Sequence, residues 1–269
     1  MINWILQQNL TRPEVLTRIK TALTVRDETW EEVIIPPFSS SVPPPRNQGF
    51  PICYGSTTFI LNAYQNSLLR PGIFLNPDRF RVSHYVQTWK DKVLNSDGRL
   101  ITFGKVSSLK SSHDRWYFVR PDNDGKGFSG RIITYQQLLD WSRAVCPMDL
   151  PELNQQTEVW VAPSKAILKE WRLFVVGDEV ISASRYAVNG ELSESADDLP
   201  SAMLDFAHSL IQAHRLHDVY VMDIAQVNTG YKLIECNCFN GTGFYAHDIE
   251  RVIQSISQFV RSKLQAGSS

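Results

Sequence analysis

The clearest signal along the chain is alternation and clustering of apolar positions in its second half. Trp116-Tyr117-Phe118-Val119-Arg120 reads as an aromatic strand, and Glu158-Val159-Trp160-Val161 as another. Two hairpins follow. The first runs Lys169 to Val176, turns at Gly177-Asp178, and returns from Glu179 to Tyr186, a two-residue turn between β-rich runs. The second runs Val219 to Ile224, turns around Asn228-Thr229-Gly230, and returns from Tyr231 to Asn237. Helical spacing marks Thr134 to Cys146, Ala202 to Leu216 and a closing amphipathic stretch from about Asp248 to Leu264. In the first half, Thr11-Arg12-Pro13-Glu14 has the order of a capping box. Glu32 to Ile35 reads as a short strand, and Pro36 to Pro51 as a Pro- and Ser-rich connection. Cys53-Tyr54-Gly55-Ser56 leading into Thr57 to Tyr64 reads as a strand, a glycine turn and a helix N-terminus, a unit able to face a ligand.

Strand geometry gives the second hairpin a chemical meaning. Side chains alternate across a strand, so Glu235 and Asn237 face one side. A hairpin symmetric about Thr229 sets Asp223 opposite Glu235, on that same side. Two opposed carboxylates repel, and oxygen donors from carboxylates and an amide suit a hard cation such as Mg²⁺. A solvated polar face reads the residues equally well. Symmetric pairing of the first hairpin sets Val176 opposite Glu179, Glu170 opposite Arg185 and Arg172 opposite Ala183. Glu170, Arg172 and Arg185 then share one face, either as an exposed cross-strand salt bridge or as the charged wall of a site for phosphoryl oxygens.

The segment Gly125 to Gly130 holds three glycines around Lys126, the composition of a mobile phosphate cover. No Lys-Ser or Lys-Thr ends it, so it is not a P-loop. Arg120, just upstream, adds a second cation, readable also as a surface arginine. Composition narrows the field further. With 269 residues, 43% hydrophobic and a net charge of -1, the chain holds a sizeable core and lacks the basic excess of a duplex nucleic-acid binder. No apolar run is long enough to span a bilayer, and the start lacks the order of a secretory signal, so a cytoplasmic location is expected. The cysteines Cys53, Cys146, Cys236 and Cys238 match no zinc spacing, and Cys236 and Cys238 read as small buried hydrophobes. The histidines, His247 included, show no ligand spacing.

Taken in order, these residues resemble the ATP-grasp superfamily over roughly Trp116 to Tyr245, in a divergent branch similar to the R-two-K type of ATP-grasp domain. The resemblance implies an α+β fold. Two α+β lobes with antiparallel sheets would sandwich ATP, behind a small α/β N-terminal domain (1–100). The ATP-grasp part would be 101–269, with a small lobe about 101–160 and a metal-binding lobe about 161–269. It further implies Asp223, Glu235 and Asn237 as ligands of Mg²⁺ bridging ATP phosphates. Glu170 would lie near the ribose, and Arg172 and Arg185 near the transferred phosphoryl group. Glu158, Trp160 and Val161 would hold adenine, with Arg120 and Lys126 over the phosphates. The family's usual lysine before the proline is Arg120 here. The activity implied is ligation of a small-molecule or peptide carboxylate to an amine. The rivals are a kinase of the same fold and a nucleotide-binding module without turnover. Asn240 to Tyr245 would line the acceptor pocket or form a plain turn.

Overall fold

The computed structural model describes residues 1–36, 39, 41–124, 127–150 and 153–267. The elements run β1 (Ile2–Gln7), α1 (Pro13–Val25), β2 (Thr29–Val33), β3 (Phe50–Tyr54), α2 (Thr57–Gln65), α3 (Val82–Trp89), β4 (Arg99–Thr102), β5 (Trp116–Pro121) and β6 (Arg131–Thr134). They continue with α4 (Tyr135–Val145), β7 (Asp149–Leu150), β8 (Leu153–Asn154), β9 (Glu158–Pro163), β10 (Lys169–Val176), β11 (Glu179–Val188), β12 (Glu191–Ser195), α5 (Ser201–Ala213), β13 (Val219–Val227), β14 (Gly230–Asn237) and α6 (Ile249–Ala266). This mixture of helices and mostly antiparallel sheets is the α+β class expected from the sequence.

The chain divides into two compact units: 1–76 with 169–224 and 236–269, and 77–168 with 225–235. In the first, β1 lies between β2 and β3 in a parallel sheet. A central parallel strand is buried on both faces, and all of Ile2 to Gln7 is buried, the polar Asn3 and Gln7 included. The core of this unit gathers Trp4 and Leu6 of β1, Leu16, Ile19 and Leu23 of α1, Phe174 of β10, Val221 of β13 and Val252, Ile253 and Ile256 of α6. A buried polar knot ties the layers: Trp4 Nε1 donates to Glu28 and Ser257, and the Ser257 hydroxyl donates to Glu28. The larger sheet has the order β12-β11-β10-β13-β14.

The second unit is built on the antiparallel sheet β4-β9-β5-β6. One face of that sheet carries Tyr117, Val119, Val159 and Val161 onto Phe103, Val106, Tyr135 and Leu138. The helix α4 is fixed at its start by a capping box, in which the Thr134 side chain takes the Gln137 N–H and the Gln137 side chain takes the Thr134 N–H.

Three local expectations change. The helix α1 starts at Pro13 with Arg12 as its cap residue, and no side chain caps it, so Thr11 and Glu14 form no box. A proline disfavours helical backbone in the residue before it, and Arg12 is extended (φ -57°, ψ 130°). The strand expected over Glu32 to Ile35 ends at Val33. The strand after the proline-rich connection begins at Phe50 and includes Pro51.

Candidate active site

The hairpin β10–β11 forms with the expected turn, and Val176 pairs with Glu179. Its register then slips between Phe174 and Val175 and again between Glu170 and Trp171. Each irregularity adds a residue on one strand and re-aims the side chains beyond it. Arg172 therefore pairs with Ser184 rather than Ala183, and Trp171, not Glu170, pairs with Arg185. The expected common face of Glu170, Arg172 and Arg185 does not exist. Glu170 and Arg172 share their side with Tyr186: the Tyr186 hydroxyl donates to Glu170 at 2.6 Å, and the Arg172 guanidinium lies over the Tyr186 ring. Arg185 turns the other way. It donates to Asp198, which also accepts from Lys169, and to the Ser193 carbonyl. Its partners are structural, and the basis for setting it beside phosphoryl oxygens is gone.

Arg172 is the centre of the first unit's charged chemistry. It grips Asp223 with two parallel hydrogen bonds, Nε to Oδ1 at 2.9 Å and Nη2 to Oδ2 at 2.7 Å. The Asp223 side chain is 2% exposed and that of Arg172 12%. The fork matches the carboxylate plane, which gives the pair geometric definition as well as charge. Nη1 donates to the Gly243 carbonyl at 3.3 Å. The Tyr186 and Tyr245 rings stack at 4.9 Å between centroids, and the guanidinium lies 5.0 Å from the Tyr245 ring centre. The sequence marks Tyr245 only as the end of the Asn240 to Tyr245 segment, and gives Tyr186 no role of its own. Tyr186 stays hidden because a regular ladder puts Arg185 in its place. Asn237 is buried at the end of β14, and Cys236 and Cys238 are buried, as read from the sequence.

Downstream, Asn240 is a structural clamp rather than a pocket wall. Its amide donates to the Cys53 and Gly72 carbonyls and its oxygen accepts from the Phe74 N–H. The residues after it do line a cavity of about 330 Å³. Gly241 to Phe244 form one wall, Tyr54 to Thr57 a second and Leu10 to Arg12 a third. The strand–glycine–helix unit thus does face a hollow. A side chain at Gly55 would meet Gln7 Cβ at 2.5 Å, so the turn needs glycine. Beneath the Gly243 to Tyr245 segment lies His247, 2% exposed, with Nδ1 2.8 Å from the Ser182 hydroxyl and its ring edge-on to Phe174. Burial, then the Arg172 charge, lowers its pKa to about 3, so the imidazole is neutral near pH 7.

In the second unit, Arg120 points to the face of its sheet opposite the apolar core. Its guanidinium bonds the Glu235 carboxylate and, at 3.3 Å, the Tyr85 hydroxyl. Burial alone would lower its pKa, but Tyr85 and Glu235 raise it further, and it stays charged. Phe118 lies on the same face, and a side chain at Gly130 would meet its ring at 2.8 Å. Lys126 and Gly125 lie outside the described residues.

The adenine expectation meets a geometric obstacle. Residues 158–161 of β9 pair with β4 on one side, and residues 159–163 pair with β5 on the other. Backbone groups bonded on both sides have no edge to offer a purine. Trp160 is buried, with Nε1 donating to the Asn95 carbonyl, and Glu158 pairs with Arg81. Glu158, Trp160 and Val161 are therefore structural in their described contacts. The ladder to β4 ends at Val161, so Ala162 is the first β9 residue beyond it. Among the described residues, no group of three or more His, Cys, Asp or Glu is arranged to hold a metal. The expected donor set has two carboxylates and an amide, each of oxygen chemistry suited to Mg²⁺. Among the described residues, no helix is long and apolar enough to cross a membrane.

Several solved structures share this architecture. The chain is similar to a D-cycloserine synthetase, DcsG, with a TM-score of 0.66, 12% identity, and coverage of 96% of this chain and 99% of that one. It is similar to a D-alanine–D-alanine ligase from Bacillus anthracis complexed with ATP, with a TM-score of 0.60 and 11% identity over 98% and 99% of the two chains. It is also similar to the ATP-grasp ligase PsnB in complex with a precursor variant, Mg and ADP, with a TM-score of 0.56 and 12% identity over 96% and 98%. The fold is the ATP-grasp fold. No curated protein matches the sequence. Residues 97–255 match the model of the ATP-grasp domain, R-two-K clade family 2, and the chain belongs to that family.

Proposed function

We propose that the protein is an ATP- and Mg²⁺-dependent ligase that activates a carboxylate for attack by an amine. The observation that carries this reading is the placement of Arg172. One guanidinium grips a buried acid, Asp223, and reaches the segment that walls the 330 Å³ cavity. A phosphate-seeking cation is thus bonded to the wall segment of a hollow large enough for a small acceptor or a peptide side chain. The similar structures named as ligases support the same class of reaction.

In this reading Asp223, Glu235 and Asn237 would hold Mg²⁺, which would supply charge neutralisation for the triphosphate. Glu235 and Asn237 are two apart on β14 and share a side, and β13 with Asp223 is the neighbouring strand. Arg172 and Arg120 steady phosphoryl oxygens with planar forks, and Glu170 accepts from the ribose. The acceptor carboxylate, seated against Gly241 to Phe244, attacks the terminal phosphorus of ATP. The bond to the leaving oxygen breaks and ADP departs. An amine then attacks the acyl carbon, phosphate leaves with the bonding pair, and the amine loses its proton. Phosphoryl transfer of this kind asks mainly for positioning and charge neutralisation, which these residues supply.

The test is ADP release by the purified chain across pools of carboxylates and amines, with mass detection of a product lighter by water than its two parents. Glu235→Gln and Asp223→Asn are each expected to lower turnover by about 100-fold or more. Asp223→Asn strips a buried pair and costs about 3 kcal/mol of stability, so folding is followed by circular dichroism. The Glu235 side chain is 25% exposed, which makes Glu235→Gln the cleaner variant. Unchanged turnover in both folded variants removes the metal assignment. Stable phosphorylation of a hydroxyl acceptor without any amine would instead make the protein a kinase.

A further inference from the structure

The second unit holds a basic cavity that the proposed chemistry does not use. It has a volume of about 340 Å³ and is lined by Arg99, Lys110 and Arg115, with Ser111 and Tyr117 between them. Among the described residues none of the three cations forms a salt bridge, whereas Arg81, Arg120, Arg172 and Arg185 each hold a carboxylate. The lining's one acid, Asp97, is held by Lys165 at 2.6 Å. The acid nearest in sequence, Asp114, accepts from the Ser112 hydroxyl. Three positive side chains thus surround a hollow with little to balance them. Tyr117 shapes its floor: its hydroxyl donates to Ser111 at 2.9 Å, and the Arg115 guanidinium lies over its ring.

Sheet register sets this cavity apart from the Arg120 side. Arg99 pairs with Val161, Val161 with Val119, and Tyr117 with Pro163, so these residues share one face. Arg120 and Trp160 pair with each other and lie on the opposite face. The thickness of the sheet separates the two groups of cations.

We propose that this cavity is a second anion site, taking the phosphate group of a small molecule. Two guanidinium forks, an ammonium and a serine hydroxyl crowd many donors around a compact volume. That arrangement matches a tetrahedral dianion with oxygens on every side better than the flat, single-faced carboxylate. Ligand here would act on the lobe from behind its sheet, so the site is independent of the reaction proposed above.

The experiment is calorimetric titration of the full chain with inorganic phosphate, with phenyl phosphate and with citrate. It is run with and without Mg²⁺ and a non-hydrolysable ATP analogue, so the answer does not depend on nucleotide binding. Phosphate or phenyl phosphate should bind in both settings, and the double variant Arg99→Gln/Arg115→Gln should weaken binding about tenfold or more. Tighter binding of phenyl phosphate than of phosphate identifies an organic monoester as the natural form, and equal affinities identify free phosphate. The control Lys105→Gln/Arg143→Gln removes the same charge from exposed positions elsewhere on the unit and should change affinity little. No saturable binding, equal weakening in the control, or binding of citrate without either phosphate compound overturns the proposal.

Discussion

His247 gives the protein a pH-dependent stability whose size follows from its surroundings. The ring is 2% exposed, accepts or donates one hydrogen bond at Ser182, and lies against Phe174. Burial and the Arg172 charge hold its pKa at about 3, against 6.5 for an ordinary histidine. The unfolded chain therefore binds a proton near pH 6 that the folded chain refuses. Stability is full above the unfolded value and falls as pH drops through the window from 6.5 to 3, by about 1.4 kcal/mol per pH unit. Between about pH 7.5 and about pH 4.5 the loss amounts to about 3 kcal/mol. The perturbation is His247→Gln, which keeps a polar group near Ser182 and cannot titrate. The assay is urea unfolding of wild type and variant at half-unit steps over that range. The variant starts less stable, because Phe174 loses its edge-on partner, but its profile should be flatter by one proton. Other groups titrating in the window belong to both proteins and cancel in the difference. Parallel profiles would refute the reasoning, because they would mean that the ring ionises alike in both states.

Two further outcomes test the frame. Gly72→Ala should cost about 3 kcal/mol or more in urea melts, because an added Cβ would lie 1.5 Å from the Pro51 carbonyl oxygen, backbone that cannot yield cheaply. Asp198→Asn should cost about 1 kcal/mol at pH 7. The Lys169 hydrogen bond, helped by Arg185, holds that carboxyl below its usual range, so its contribution is present above that range and disappears as pH falls through the lowered value. Turnover of the folded Asp198→Asn variant should be little changed, since Arg185 and Asp198 lie on the face away from Arg172.

The strands β5, β9, β10, β11, β13 and β14 are legible because each carries its own pattern, and Gly177-Asp178 names a turn, whereas the short β7, β8 and β12 carry none. The register is not legible. The irregularities at Phe174/Val175 and Glu170/Trp171 fall among ordinary β-formers, with no glycine or proline to mark them. Those two slips turn Arg185 to the other face and bring Tyr186 into its place. The two capping-box patterns make a similar contrast. Thr11-x-x-Glu14 and Thr134-x-x-Gln137 have the same spacing, yet only the second closes, because Pro13 fixes the start of α1. For Asp223 the chemistry is readable and the partner is not. Its guanidinium comes from β10, brought beside β13 across the intervening helix α5, an adjacency that no local pattern announces.

That partner bears on the metal reading. A grip by Arg172 could be taken to disqualify Asp223 as a ligand, since the acid is already neutralised. Lone-pair accounting says otherwise. An ionised carboxylate offers about four acceptor positions, and the two-pronged bond takes one on each oxygen. In the proposed function a hard cation would bind the same carboxylate beside the guanidinium. Glu235 pairs with Arg120 through one guanidinium nitrogen, and Arg120 keeps its charge despite its burial. An acid shared between an arginine and a cation holds the two positive groups a fixed distance apart. Such spacing is what a chain of phosphates, with negative oxygens at regular intervals, requires. Under the proposed function, lysine in either place would keep the charge and lose the planar donor geometry of a guanidinium.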